Sequence, residues 1–165
     1  EMDAQNMTFN SNTFDFVCAQ GCLMHMPDIQ KAVEEIYRVL KPNCKVHSWI
    51  YHKGWYYWFN IIFLRGIVLG FLLKFKFDTI KLNSRFSDGA TQNGNPFTKF
   101  HNISEAKNYF TKAGFKNVNA RIIYNPMEFL AFPTKKFPFG KFLKPKIKKF
   151  IGKYSGLGLV ISATK

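Results

Sequence analysis

The chain has 165 residues, of which 47% are hydrophobic, and this is enough apolar material for one domain with a buried core. Three cysteines are too few for a disulfide scaffold and are typical of reduced cytoplasmic thiols. Neither a charged n-region nor an apolar h-region precedes the first turn-like stretch, so no secretory signal is predicted.

The net charge of +14 indicates attraction to phosphate-rich partners, either nucleic acid or an anionic membrane. Twenty of the 24 basic residues are lysine, whereas bidentate recognition of phosphates and bases favours arginine. A genome rich in A and T would also produce this bias toward Lys, Asn, Phe and Ile. Nucleic acid is therefore a disfavoured partner.

A nearly continuous apolar run at residues 14–19 lacks the alternation of a half-buried strand. Such a run is typical of a strand covered on both faces in a parallel sheet, so it predicts α/β architecture. The spacing of Cys18, Cys22 and His25 resembles part of a metal site. We predict no metal, because only three ligands are supplied and Cys18 lies inside the apolar run.

A helix is predicted next, because apolar residues recur at helical spacing, namely Ile29, Ala32, Val33, Ile36, Tyr37 and Leu40. Asp28 is a good N-cap for it. Glu34 and Arg38 are spaced as a favourable i,i+4 pair, and the dipeptide at 41–42, Lys-Pro, is predicted to end the helix.

A second strand is predicted at residues 45–51, which completes a right-handed strand, helix, strand crossover. Ligands of such folds bind at the carboxyl ends of the parallel strands. The residues expected at that edge are Gln20, Gly21, His25, Tyr51 and His52.

The stretch 55–73 is apolar almost all round, so its length alone would permit a membrane span. Arg65 argues against a span, because a mid-span arginine costs roughly 2.5 to 3.5 kcal/mol on insertion scales. Three alternatives stay open: a buried or lid helix, which is favoured, an interfacial membrane contact, and a true span.

The remainder is predicted as a long polar loop at 78–100, a helix at 102–113 that begins with a capping box, and strands near 118–124 and 158–163. Residues 133–153 interleave lysines with phenylalanines. This segment is interpreted as a solvated insertion, with a membrane-surface patch as the alternative.

Four blocks occur in one order at one spacing: Met-Asp-Ala-Gln-Asn-Met-Thr-Phe at 2–9, Phe-Asp-Phe-Val at 14–17, Leu-Met-His-Met-Pro-Asp at 23–28 and Tyr-Arg-Val-Leu-Lys-Pro at 37–42. Together they resemble the class I S-adenosylmethionine-dependent methyltransferases of the methyltransferase type 11-like group. The resemblance implies an α/β, Rossmann-like sheet of which this chain holds strands four to seven, with flanking helices and a lid insertion.

The resemblance also implies which residues bind S-adenosyl-L-methionine. Asp3 would accept a hydrogen bond from the adenine amino group, and the backbone N–H of Ala4 would reach a ring nitrogen. The loop after the fourth strand, which contains Ala19, Gln20 and Gly21, would line the methionine part, with His25 beyond it.

Two departures from the family pattern concern the turn after residue 42 and the glycine-rich loop. The family has Gly-Gly where this chain has Asn43 and Cys44, and asparagine tolerates the left-handed turn. Nothing upstream of Asp3 supplies the family's glycine-rich cofactor loop. We therefore expect residues 1–165 to be the C-terminal part of one methyltransferase domain, with a lid at 53–100, and to be inactive and poorly soluble alone.

The predicted function is transfer of a methyl group to a small-molecule or lipid-like acceptor. His25 and His52 are the predicted catalytic residues, because a base helps when the acceptor is a hydroxyl or a protonated amine, and Asp88 and His101 are reserve candidates. The protein is expected in the cytoplasm, with peripheral membrane contact through 55–73 and 133–153. The alternative is a non-catalytic basic module that binds anionic membrane or nucleic acid.

Overall fold

The computed structural model describes residues 2–55, 57–87, 96–123 and 156–165. Its strands are β1 (Phe14–Gln20), β2 (Leu40–Tyr51), β3 (Lys116–Ile123) and β4 (Gly158–Thr164). Its α-helices are α1 (Ile29–Val39), α2 (Phe71–Lys74), α3 (Thr79–Phe86) and α4 (Ile103–Lys112). A 3-10 turn (Leu23–His25) precedes α1, and a π-helix (Tyr57–Val68) precedes α2.

The four strands form one sheet in the order β1-β2-β4-β3. β1 and β2 are parallel and are joined through α1, whereas β4 is antiparallel to both β2 and β3. The core lies between the sheet and its helices, and its fully buried side chains include Val33, Leu40, Phe110 and Ile161. The predicted α/β architecture is therefore confirmed, and its sheet is mixed.

One face of β1 differs from expectation. Ala19 is buried and Val17 is half-buried, but Phe16 is 56% exposed and Cys18 is also exposed. The prediction that this strand is covered on both faces is wrong for the described residues. An apolar run shows that both faces of a strand are suited to burial, but it does not supply the element that covers them.

Helix α1 begins where Asp28 predicts, because its side chain accepts a hydrogen bond from the Lys31 backbone N–H. The predicted pair of Glu34 with Arg38 is not the ion pair that forms. Arg38 pairs with Glu35 at 2.8 Å, while the Glu34 carboxylate accepts a hydrogen bond from Gln30. Glu35 is preferred because it faces the segment before β1, which Arg38 also contacts.

The carboxyl end of α1 is closed by a residue far away in the sequence. Lys165 Nζ donates to the backbone oxygens of Arg38 at 3.3 Å and Leu40 at 2.7 Å, and to Asn12 Oδ1 at 2.8 Å. The helix ends at Val39, two residues before the Lys-Pro pair. Asn43 has a φ of 63°, so asparagine does occupy the left-handed turn as predicted.

The segment expected to be one apolar helix is broken. The π-helix ends at Val68, and Gly70, with a φ of 70°, separates it from α2. In the part of the chain that is described, no helix is long and apolar enough to cross a membrane. Tyr57 and Ile61 are buried, as the lid alternative requires, but other side chains of the segment are exposed.

Helix α3 lies within the region predicted as a loop, so that prediction is wrong for residues 79–86. Asp78 caps the helix by accepting from the N–H groups of Ile80 and Lys81, and Leu82 anchors it in the core. Residues 88–95 and 133–153, including the predicted reserve base Asp88 and the basic aromatic insertion, lie outside the described residues.

Helix α4 and the last two strands are confirmed within two residues of their predicted ends. Both halves of the capping box are present: Asn102 accepts from the Glu105 N–H, and Glu105 accepts from the Asn102 N–H. Glu105 also accepts a hydrogen bond from Lys53 Nζ at 3.4 Å, so the cap links α4 to the residues that follow β2.

Replacing Asn102 by alanine should lower the free energy of unfolding by about 1 kcal/mol, because the Glu105 N–H loses its acceptor. Urea unfolding followed by circular dichroism measures the change. Ser104→Ala, at an exposed position in the same helical turn, is the matched control and should be nearly neutral. Equal effects of the two substitutions would contradict a stabilising role for the cap.

Candidate functional site

The carboxyl ends of β1 and β2 meet at a glycine turn. The Gly21 N–H donates to the Trp49 oxygen at 3.1 Å, and Gly21 has a φ of 70°. A Cβ there would lie 4.0 Å from the Trp49 ring, so space is not the constraint. The left-handed backbone conformation favours glycine. This turn directs the chain away from β1 immediately after its last residue, the exposed Gln20.

His25 lies in the 3-10 turn just beyond and is held by the segment before α4. Its Nδ1 is 3.0 Å from the Phe97 carbonyl oxygen and 3.1 Å from Thr98 Oγ1. Because a carbonyl oxygen only accepts, Nδ1 carries the proton and the ring lone pair is on Nε2. The ring is 6.0 Å from that of Tyr51, so two predicted edge residues are brought together.

An aromatic wall backs this edge. It is formed by Tyr51, which stacks on Phe100 with ring centroids 4.9 Å apart, and by Tyr57, whose ring is 4.7 Å from Phe100. The backbone N–H of His101 donates to the backbone oxygen of Tyr51 at 2.9 Å. The segment before α4 therefore extends the edge beyond β2 and holds the wall in place.

His52 follows β2 directly, but its ring is turned toward the start of β4. Its Nδ1 donates to the Gly156 oxygen at 2.9 Å. Burial lowers the pKa of His52, and the hydrogen bond to that oxygen only partly opposes the effect. Gly54 permits this arrangement, since a Cβ there would come within 2.9 Å of the His52 Nδ1.

His101 is a buried histidine whose two ring nitrogens have no hydrogen-bond partner among the described residues. Its side chain is only 1% exposed and packs edge-on against Tyr109. Burial, together with the nearby Lys99 charge, lowers the pKa of His101 to about 4. The side chain is therefore neutral near pH 7, and its reserve role as a base stays a prediction.

Asp3 and Ala4, the predicted adenine contacts, lie in a turn joined to the start of α1. Asp3 Oδ1 accepts from the Gln5 backbone N–H at 2.9 Å, and the Asn6 N–H donates to the Asp3 backbone oxygen at 3.1 Å. The Gln5 side chain in turn accepts from the Asp28 N–H at 3.2 Å. This link places Asp3 on the carboxyl side of the sheet, where α1 begins.

The segment before β1 is clamped by two side chains of α1 that were not predicted as site residues. Glu35 accepts from the Met7 N–H at 2.8 Å, and Arg38 donates to the oxygens of Met7 at 2.8 Å and Phe9 at 2.7 Å. The hydrogen bond from Arg38 lowers the pKa of the Glu35 carboxyl. The sequence signal was present in the Tyr-Arg-Val-Leu-Lys-Pro block.

The described residues contain no cluster of three or more side chains that could hold a metal ion. Cys18 is exposed on β1, while Cys22 is half-buried, and burial raises the pKa of the Cys22 thiol. Ala19 is buried in the strand, so only its backbone would be available to a ligand. The predicted residues thus gather at one edge, with His52 facing away toward β4.

Comparison with known proteins agrees with this geometry. Residues 1–47 match the family model described as a methyltransferase domain. A 53-residue stretch, 32% of this chain, is 42% identical to phosphoethanolamine N-methyltransferase 2 of Caenorhabditis elegans and covers 12% of that protein.

Solved structures resemble almost the whole chain. An S-adenosylmethionine-dependent methyltransferase from Methanosarcina mazei has a TM-score of 0.60 at 18% identity over 99% of this chain and 65% of its own. Phosphoethanolamine N-methyltransferase 2 from Haemonchus contortus, solved with phosphomonomethylethanolamine and S-adenosylhomocysteine, has a TM-score of 0.54 at 17% identity over 99% and 36%. The chain has the class I methyltransferase fold.

The predicted resemblance to class I methyltransferases is thereby confirmed. The chain spans less than two thirds of each of these relatives. Low identity over the structures supports the fold, while the 47 matched residues include Asp3, the Gly21 turn and His25. The comparisons give no support to the alternative of a non-catalytic basic module.

The edge of the methyltransferase fold fits the cofactor that the family implies. Asp3 is exposed and uses only Oδ1 within the turn, so Oδ2 is available to accept from an adenine amino group. The left-handed Gly21 presents backbone without a side chain at the carboxyl end of β1. An acid at one side and a bare backbone at the other suit the two ends of S-adenosylmethionine.

The stability of the protein should fall with acid because of His101. Its folded-state pKa of about 4 lies below the usual 6.5, so protonation favours the unfolded state. The contribution of neutral His101 to the free energy of unfolding is fully present above about pH 6.5. It declines by about 3 kcal/mol as the pH falls to 4.

Urea unfolding across this pH range measures the slope, and His101→Phe should flatten it because the variant has no group there to protonate. His47→Gln removes a different histidine, which bonds to Ser162 on the sheet, and it should keep the contribution of His101. His52 acts in the same direction, so some slope will persist. An unchanged slope in His101→Phe would contradict the assignment.

Arg38→Met should free the segment that carries Asp3. The Met7 and Phe9 oxygens lose their donor, and Glu35 loses the ion pair that orients it, so the Met7 N–H, which donates to Glu35, should exchange with deuterium at least about tenfold faster. Lys31→Met, an exposed change on the same helix, is the control. Equal exchange rates in the two variants would show that the clamp does not order this segment.

Proposed function

We propose that this chain is part of an S-adenosylmethionine-dependent methyltransferase that acts on a small-molecule amine. The observation that carries the proposal is the carboxyl edge of the sheet, where the Asp3 turn is tied to the start of α1 and the left-handed Gly21 turns the chain after β1. Both features lie within the residues that match the methyltransferase domain.

In this proposal the cofactor would bind along the edge. The Asp3 carboxylate would accept a hydrogen bond from the adenine amino group, and the Ala4 N–H would donate to a ring nitrogen. The backbone of Ala19, Gln20 and Gly21 would border the methionine part, with His25 beyond it. The clamp of Glu35 and Arg38 is a positioning device, because it fixes the segment that carries Asp3.

When bound, S-adenosylmethionine supplies a methyl carbon made electrophilic by its sulfonium. The chain's own task is to hold an acceptor in line with that carbon and to exclude water. The aromatic wall of Tyr51, Tyr57 and Phe100 is buried and apolar, so it would exclude water from behind the edge. The segment 53–100 would act as the lid.

A protonated amine acceptor must lose a proton before its nitrogen has a lone pair that can attack carbon. His25 is the preferred base, because it lies beside the carboxyl edge and its bond to the Phe97 carbonyl oxygen fixes the proton on Nδ1. His52 is the second candidate, because burial lowers its pKa and keeps it neutral near pH 7. Its ring faces Gly156, so it would have to turn away from β4 to reach an acceptor at the carboxyl edge.

The acceptor class follows from the relatives named above. Two of them are phosphoethanolamine N-methyltransferases, and a substrate with an amine and a phosphate would be attracted by a chain of charge +14. We propose an amine of this kind, or a lipid bearing the same group, as acceptor. We also propose a cytoplasmic location, for which the three free cysteines are the support.

The decisive experiment is calorimetric titration of S-adenosylhomocysteine into the longest polypeptide that the gene encodes. Asp3→Ala should weaken binding by about tenfold, the usual consequence of losing one hydrogen bond to a charged group. Asp15→Ala removes the same charge at the opposite end of β1, where the side chain pairs with Lys41, and should leave binding unchanged.

Two outcomes would contradict the proposal. If the wild-type polypeptide does not bind the cofactor, the proposed methyltransferase activity is wrong. If Asp3→Ala and Asp15→Ala bind it with equal affinity, Asp3 is not part of the cofactor site. Transfer of labelled methyl groups to phosphoethanolamine and to ethanolamine, with and without His25→Gln, then tests the acceptor class and the base.

A further inference from the structure

The described residues expose twelve large apolar side chains, and eight of them lie in one short part of the chain between β2 and α3. We call these eight the apolar ridge: Trp55, Trp58, Phe63, Ile67, Val68, Leu69, Leu73 and Phe77, each between 48% and 71% exposed. Such a concentration is unusual on a soluble surface and marks a site of interaction.

The apolar ridge is the outer side of an element whose inner side is already packed. Tyr57 and Ile61 of the π-helix are buried, as is Leu82 of the adjoining α3. Trp55, Phe59 and Phe63 stack in a row with ring centroids 5.7 Å apart at each step, so the outer side is ordered. The core therefore does not need the ridge residues, and they are available to a partner.

The one charged residue within 55–73 is turned away from the ridge. Arg65 donates to the Phe86 backbone oxygen at 3.5 Å, and its guanidinium lies 4.6 Å from the centre of the Phe86 ring. Arg65 therefore faces α3. The charge that argues against a membrane span in the sequence does not interrupt an apolar surface that lies flat on a membrane.

The border of the ridge is basic. Leu73 and Phe77 form the tip of the ridge, and exposed Lys74 and Lys76 lie between them in the sequence. Lys81 and Arg85 lie on exposed positions of α3. The one acid between residues 53 and 87, Asp78, is occupied by its helix cap and lies 3.7 Å from the Lys81 ammonium. Exposed apolar side chains with basic residues beside them are typical of proteins that bind anionic membrane surfaces.

The tip of the ridge is held out by a strained turn. Lys76 and Phe77 have φ values of 53° and 61°, in the left-handed region that lysine and phenylalanine rarely adopt. Phe77 is nevertheless 69% exposed, so no packing within the described chain compensates for the strain. A partner that receives the aromatic ring would explain why this turn presents it.

We propose that the apolar ridge docks on an anionic lipid bilayer, with Leu73 and Phe77 inserted between headgroups and Lys74 and Lys76 bound to phosphates. A second copy of the chain is a poorer occupant, because it would bring the same lysines and a charge of +14 against them. This docking does not depend on the proposed methyl transfer.

The test is sedimentation of the full-length protein with vesicles of phosphatidylcholine alone or with about one third phosphatidylserine. Binding to the anionic vesicles should be at least about tenfold tighter. The double variant Leu73→Ser, Phe77→Ser should lose at least about tenfold in affinity for them. Phe16→Ser, which removes an exposed phenylalanine on β1, is the matched control and should bind as wild type does.

Circular dichroism shows that each variant is folded, and tryptophan emission supplies an independent signal. Trp55 and Trp58 belong to the ridge, so vesicles should shift the emission to the blue and brominated lipids should quench it. Replacing Lys74 and Lys76 by glutamine should weaken binding and reduce its dependence on salt.

The proposal is overturned if the Leu73→Ser, Phe77→Ser variant binds vesicles as the control does. It is also overturned if the wild type ignores vesicles and sediments as a dimer that this variant dissociates, because the occupant is then a second copy. Tight, salt-sensitive binding to oligonucleotides without vesicle binding would overturn it in favour of nucleic acid.

Discussion

The antiparallel ladder between β2 and β4 is the interaction on which the candidate site depends. It sets Tyr51 opposite Gly158, so the residues just before β4 lie beside those just after β2. The Gly156 oxygen thereby reaches the His52 ring, and the Trp49 indole packs where a Cβ of residue 158 would overlap its nitrogen. A shift of one residue in this register would reverse the faces of β4 and remove both contacts.

The two buried histidines show how one residue type acquires different properties from its surroundings. His52 loses solvent but gains a carbonyl acceptor, which favours its charged form and limits the decrease in its pKa. His101 loses solvent and gains no hydrogen bond among the described residues, and the Lys99 charge disfavours protonation further. Burial thus keeps both rings neutral near pH 7.

The elements predicted well are those whose signals are local. Helix α1 has an apolar stripe and an N-cap, and α4 has a capping box, so both were predicted from fewer than fifteen residues each. Helix α3 was missed because it is only eight residues long and its start rests on the single cap Asp78. The break at Gly70 was missed because glycines are also common within apolar helices.

The parts of the site that could not be predicted depend on distant contacts. The direction of the His52 ring is fixed by Gly156, which is 104 residues away. The choice of Glu35 over Glu34 as the partner of Arg38 depends on Met7, 28 residues before it. Spacing along a helix identifies which residues can pair, but the segment that packs against the helix decides which of them do.

Lys165 connects the folding of α1 to that of the whole sheet. Its ammonium binds the Arg38 oxygen across a separation of 127 residues, and its backbone pairs with Asn43 and Cys44. Helix α1 can form early from local signals, but its end acquires this closure only after β4 has docked on β2. Since contacts of such long sequence separation form slowly, the last turn of α1 should remain frayed until a late stage of folding. The carbonyls at that turn thus report, by their protection from exchange, the moment at which the sheet is complete.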